Sequence, residues 1–127
     1  MADDPSSDDC SICVGSMKGI SIVEAAGEID MADVSLLAKA LNEAAESGRG
    51  DVLVDAQNLT YIDRSGLQTL LSSAQRLAQE GRSLAIVGCH GVFYKLIEAG
   101  HLRRQLPMYS SVNEAMAEME HVERLSP

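Results

Sequence analysis

Residues 51–71 read DVLVDAQNLTYIDRSGLQTLL, and the two halves of this stretch obey different periods. DVLVDA at 51–56 is a continuous apolar run between charged ends, which predicts a strand covered on both faces and lying in the middle of a sheet. Farther on, Leu67, Leu70, Leu71, Ala74, Leu77 and Ala78 recur at three- and four-residue steps, predicting a helix with one long apolar stripe that ends at Gly81. Between strand and helix stand Tyr61 and Ile62, a buried-looking pair, and then Asp63, Arg64, Ser65 and Gly66. A buried strand followed by an amphipathic helix is the repeating unit of α/β folds with parallel sheets.

Outward from this unit the same grammar continues. Upstream, SICVGSM and ISIVEAAGEI are Ile- and Val-rich runs separated by Lys18-Gly19, the pattern of two antiparallel strands joined by a tight turn. Val34, Leu37, Ala38, Leu41 and Ala45 then mark one helix face, with Asp30 as the expected N-cap and Gly48 as the stop. Downstream, SLAIVG at 83–88 reads as another buried strand, and VFYKLIEAG as a short helix stopped at Gly100 and covered by Leu102. LPMYS at 106–110 fits an edge strand, where Pro107 is tolerated. Ser111 and Glu114 have capping-box spacing ahead of a last helix, whose stripe is Val112, Ala115, Met116, Met119 and Val122. There is no internal repeat. The order β-β-α-β-α-β-α-β-α predicts an α/β fold with a mixed, mostly parallel sheet of four to five strands and about four helices.

Length and charge limit what such a fold can do. A chain of 127 residues is the size of one domain, expected here over 11–124 after a disordered acidic tail at 1–10 in which Asp3, Asp4, Asp8 and Asp9 repel one another. No apolar stretch is long enough to span a bilayer, and the opening MADDPSSDDC is unlike a secretory signal, so the expected location is cytoplasmic with no membrane partner. A net charge of -9, with only ten Lys and Arg, argues against nucleic acid and for a protein partner. The polar surface offers no strong dimer patch. Cys10, Cys13 and Cys89 cannot all pair within one chain. Cys10 and Cys13 form a C-x-x-C, but odd spacing along a strand sends the two side chains to opposite faces, and no second C-x-x-C is present for zinc.

Ser65 is the residue whose chemistry is open. At the mouth of a helix it could be a nucleophile, a cap or a site where phosphate is written and read. The nucleophile is disfavoured: the segment lacks G-x-S-x-G, and no motif brings His90, His101 or His121 beside Ser65 as a base. There is no phosphate-binding loop of the G-x-x-x-x-G-K-[ST] type, and Glu28, Asp55 and Asp63 lack metal-ligand spacing. The reading is a binding module rather than an enzyme, with no cofactor or metal. Asp63 or Ser65 caps the helix, and Gly66 permits a close approach of neighbouring backbone.

GEID at 27–30, DVLVDAQNLTYIDRSGLQTLL and SLAIVGCHGVFYKLIEAGHL together resemble the STAS domain, shared by sulphate-transporter tails and anti-sigma factor antagonists. The resemblance spans roughly residues 12–120, and without transmembrane helices it is similar to the stand-alone antagonists. It implies binding to an anti-sigma factor serine kinase, release of a sigma factor, phosphorylation of Ser65 by that kinase to switch binding off, and a metal-dependent serine phosphatase to restore it. Asp63, Ser65 and Gly66 fall on the family's acid, phosphorylated serine and glycine, and Asp30 on an acidic position near the same surface. Arg64 departs from the small hydroxyl residue usual before that serine. The partner-binding surface implied is Asp30, Met31, Asp63, Arg64, Ser65, Gly66 and Leu67. The alternative is a constitutive STAS adaptor, a scaffold subunit of a signalling or lipid-transport assembly, not phosphorylated and open to redox modulation through its cysteines.

Overall fold

The computed structural model describes residues 10–125; of the tail predicted at 1–10, residues 1–9 lie outside them, and Cys10 instead opens the first strand. Strands β1 (Cys10–Met17), β2 (Ile20–Ile29), β3 (Val52–Ile62), β4 (Leu84–Val87) and β5 (Met108–Tyr109) form one sheet in the order β1-β2-β3-β4-β5. Only the β1–β2 pair is antiparallel, and the other three are parallel. Helices α1 (Val34–Ser47), α2 (Arg64–Gln79), α3 (Gly91–Ala99) and α4 (Val112–Leu125) complete the fold, with β3 at the centre of the sheet as expected.

The hydrophobic pattern explains the layers. Val23, Ala25, Ile29, Val52, Val54, Ala56, Leu59 and Ile62 face one side of the sheet and are buried with Leu37, Leu41, Leu70, Leu77, Phe93 and Ile97 of α1, α2 and α3. The second side is covered only in part, where Ile20, Ile22, Leu53, Ala85 and Val87 pack on Ala115, Met116 and Met119 of α4. The side chain of Val122, placed by periodicity on that stripe, lies outside the described residues, as does that of His121. The turn between β1 and β2 is two residues, Lys18 and Gly19, at φ 53° and 83°. Two left-handed residues give a twist that matches the strands, and only the glycine adopts it without side-chain strain.

Several boundaries differ from the sequence reading. Strand β3 runs on to Ile62 instead of ending near 56, because register shifts against β2 after Glu24 and after Gly27 absorb the extra residues and let pairing resume as far as Ile29 and Ile62. Asp30 does not cap α1 directly; it caps a single 3₁₀ turn, Met31–Asp33, that leads into the helix. Helix α1 stops at Gly48, but in extended backbone. Carbonyls at its end and just past it are met instead by Arg82, whose guanidinium donates to Ala45 O at 2.9 Å, Gly48 O at 3.0 Å and Gly50 O at 2.9 Å. Helix α3 stops at Gly100, yet the left-handed residue is His101, at φ 55°. Ala78 is exposed where the stripe of α2 runs off the sheet. Ahead of α4, Glu114 N–H bonds Ser111 Oγ at 3.0 Å as the capping box requires, whereas the Glu114 carboxylate reaches back to Ser110, not Ser111.

Candidate functional site

Parallel strands all end on one edge of a sheet, and the turns that follow them collect there. At that edge Ile62 closes β3, Asp63 is extended, and Arg64 opens α2. Asp63 N–H donates to the Ile29 carbonyl at 3.0 Å, so the turn is pinned to the end of β2. Asp63 Oδ1 accepts the N–H of Gly66 at 3.1 Å and the hydroxyl of Ser65 at 2.6 Å. Asp63 is therefore the cap, and Ser65 is the second residue of the helix, its hydroxyl oriented by the capping acid. The Ser65 hydroxyl first, and the Gly66 N–H second, hold the Asp63 carboxyl below its ordinary value of 3.8. An ionised carboxylate with two donors is a weak base, so it orients the half-buried Ser65 oxygen without activating it as a nucleophile.

Gly66 serves packing. A Cβ there would lie 2.6 Å from Ile62 Cγ1, 2.9 Å from Ile62 Cδ1 and 3.4 Å from Ile29 Cγ2. The close approach expected of neighbouring backbone is thus made by two buried isoleucine side chains that are register neighbours on β2 and β3. Gly66 and Leu67 face inward, and any effect they have on a partner passes through the placement of the turn.

The preceding turn brings the other implied residues to the same edge. Asp30 follows Ile29, its Oδ1 accepting Ala32 N–H at 2.9 Å while Asp33 Oδ2 accepts Asp30 N–H at 3.2 Å. Met31 is 75% exposed. Asp30, Met31, Asp63, Arg64 and Ser65 thus meet at the ends of β2 and β3, and Arg64 is exposed without an ion pair among the described residues.

Two apolar side chains at this edge are exposed, one of them against the sequence reading. Tyr61 is 42% exposed instead of buried, since Ile62 faces the helices and alternation turns Tyr61 to the other side of the sheet, beyond the reach of α4. Val92 is 54% exposed at the start of α3; the signal was available in Phe93 and Ile97, which take the inward face. His90 Nε2 lies 3.1 Å from Gln57 O, joining the start of α3 to β3 as an end-of-helix residue. Cys13 is exposed on β1, and Cys89 is half-buried with its thiol pushed up to about 11 by burial. Among the described residues no group of three or more His, Cys, Asp and Glu is placed to hold a metal, and no helix is long and apolar enough to cross a membrane.

The STAS domain profile matches residues 14–115. This chain belongs to the STAS domain family. The STAS domain described here is 24% identical over 106 residues to the anti-sigma F factor antagonist of Paenibacillus polymyxa, covering 83% of this chain and 91% of that one. It is 31% identical over 97 residues to a Mycobacterium tuberculosis protein provisionally named an anti-anti-sigma factor, covering 75% and 66% of the two chains. In three dimensions it is similar to the crystal structure of an anti-sigma factor antagonist from Mycobacterium paratuberculosis, with a TM-score of 0.79 at 23% identity over 89% of this chain and 96% of that one.

Proposed function

We propose that this STAS domain is an anti-sigma factor antagonist that acts by binding and not by catalysis, with the carboxyl edge of the sheet as its docking surface and Ser65 as its switch. The observation that carries the reading is the Ser65 hydroxyl, held 2.6 Å from the capping Asp63 at the mouth of α2, on a sheet edge that also carries the exposed Met31, Tyr61 and Arg64. The names of its relatives support the antagonist role. The partner is an anti-sigma factor serine kinase, which phosphorylates Ser65 and then lets go; a metal-dependent serine phosphatase reverses this. Asp30, Met31, Asp63, Arg64 and Ser65 form the contact, with Tyr61 added to it, while Gly66 and Leu67 set its shape.

A phosphate on Ser65 brings about -1.5 to -2 charges and removes the proton that the hydroxyl donates to Asp63. Arg64 beside it and the first turn of α2 behind it favour the anion. The fold is unchanged while the docked partner meets a hydrated dianion, and a loss of about 3 kcal/mol there weakens binding more than a hundredfold.

Two observations favour a second reading. A dianion would stand next to the ionised Asp63, and Arg64 occupies the place of a small hydroxyl, both of which suit a constitutive STAS adaptor in which Ser65 only serves the cap. Binding of wild type, Ser65→Ala and Ser65→Glu to the kinase-type anti-sigma factor, recovered from native lysate and titrated by calorimetry, separates the two. The switch requires Ser65→Glu to lose at least a hundredfold while Ser65→Ala binds like wild type; equal binding by all three assigns the chain to the adaptor reading.

A further inference from the structure

The two edges of the sheet are unlike each other. The β5 edge is two residues long and preceded by Pro107, which blunts it. The β1 edge is eight residues long, and its sequence, CSICVGSM, contains no charge and no proline. Its pairing with β2 runs from Cys10 to Met17 without a register shift, so no bulge twists it away. Edge strands usually carry at least one such protective device, because their unpaired backbone groups accept a further strand.

The backbone pattern says which groups are free. Met17 and Ile20 flank the two-residue turn, a hydrogen-bonded pair in such hairpins. Ser21 N–H turns the other way, to Asp51 O on the β3 side at 3.3 Å, so its partner Ser16 is in a non-hydrogen-bonded pair. Alternation then points the N–H and C=O of Cys10, Ile12, Val14 and Ser16 away from β2, into an edge that no further strand covers among the described residues. Above that edge Ile12 and Val14 are half-buried, and Leu36 of α1 is 54% exposed. These three line a shallow groove of about 210 Å³ with Lys39, Ala40 and Glu43. The groove therefore carries one charge of each sign, an arrangement complementary to itself under a two-fold axis.

We propose that β1 pairs antiparallel with β1 of a second copy of this chain, about a two-fold axis at Cys13, fusing two five-stranded sheets into one. In this register the outward-facing Ile12 of one copy lies opposite Val14 of the other, and Cys10 opposite Ser16. All eight outward donors and acceptors of each strand are paired within the overlap, and Leu36 of each copy closes over the Ile12–Val14 pairs. Lys39 and Glu43 approach their counterparts at the rim. The two Cys13 residues face each other in a non-hydrogen-bonded pair, at about 4.5 Å between Cα atoms. Cys10 lies six residues from its own counterpart, about 20 Å along the strand. The new interface is two strands removed from β3, so the dimer presents two Ser65 surfaces and engages a bivalent partner with avidity. Since each copy carries a net charge of -9, added salt strengthens the association.

Sedimentation equilibrium of the full chain in reductant, from micromolar to millimolar, measures this directly. The expected mass rises toward twice the 13.6 kDa of one chain. Ser16→Pro removes an outward N–H without touching the β2 ladder, and is expected to weaken the dimer about tenfold. A short bis-maleimide should join two chains of the Cys10→Ser/Cys89→Ser variant and leave the Cys13→Ser/Cys89→Ser variant unjoined. The crosslink decides the register even where Ser16→Pro impairs folding. A mass of one chain at every concentration overturns the proposal, as does a dimer crosslinked through Cys10 as readily as through Cys13.

Discussion

Gly66→Ala tests whether the helix mouth is held by close packing. Its Cβ would meet Ile62 Cγ1 at 2.6 Å and Cδ1 at 2.9 Å, both well inside van der Waals contact. Ile62 is 1% exposed and β-branched, so its χ1 is stiff, and the 0% exposed Ile29 beside it leaves it nowhere to move. Overpacking of a filled core costs about 1–3 kcal/mol. Alanine recovers up to about 1 kcal/mol over glycine in a helix, less in its first turn where fewer backbone bonds are at stake. The net expectation is a loss of about 1–2 kcal/mol, read in urea as a lower midpoint with an unchanged slope, and in a thermal scan as about 3–10 °C. Ile62→Ala removes both clashing atoms, so the double variant should lose at least about 1 kcal/mol less than the two single losses summed. Wild-type stability in Gly66→Ala, or additive losses in the double variant, would refute this account of the helix mouth.

Three further outcomes follow from the same geometry. Asp63 has its pKa lowered on folding, so the stability it contributes is complete above the ordinary 3.8 and disappears as pH falls through the lower folded value; Asp63→Asn, which still caps, should flatten that part of an acid-unfolding curve. Arg82→Ala leaves three carbonyls at the end of α1 without their donors and should cost about 2–3 kcal/mol in denaturant unfolding, with Arg82→Lys intermediate because an ammonium does not reproduce the fork. Cys89, with its thiol raised to about 11, should react with a maleimide more slowly than exposed Cys13 at neutral pH and speed up about tenfold per pH unit, by peptide mapping after timed quenching.

Element type and order were legible along the chain because periods of two and 3.6 residues are written locally, and five strands and four helices follow from them. The same periods put β3 at the centre: a run apolar on both faces has to be covered on both faces. The local residues also singled out the Asp63–Gly66 turn, since two capping residue types and a glycine stand together where the strand period gives way to the helix period.

Other features depended on contacts between distant segments. Whether Asp63 or Ser65 caps α2 was open in the sequence, where both have the chemistry; the bond from Asp63 N–H to Ile29 O decides it by fixing Asp63 in extended backbone and leaving Ser65 inside the helix. The length of β3 depended on register shifts against β2, which no local pattern encodes. Arg82 serves carbonyls more than 30 residues away, a contact that no local pattern encodes. The exposure of Tyr61 was decided by how far α4 extends over the second face, and the openness of the β1 edge by the absence of any further described strand beside it. Periodicity states which face of an element is apolar; what lies against that face, and how far it reaches, is a property of the assembled sheet.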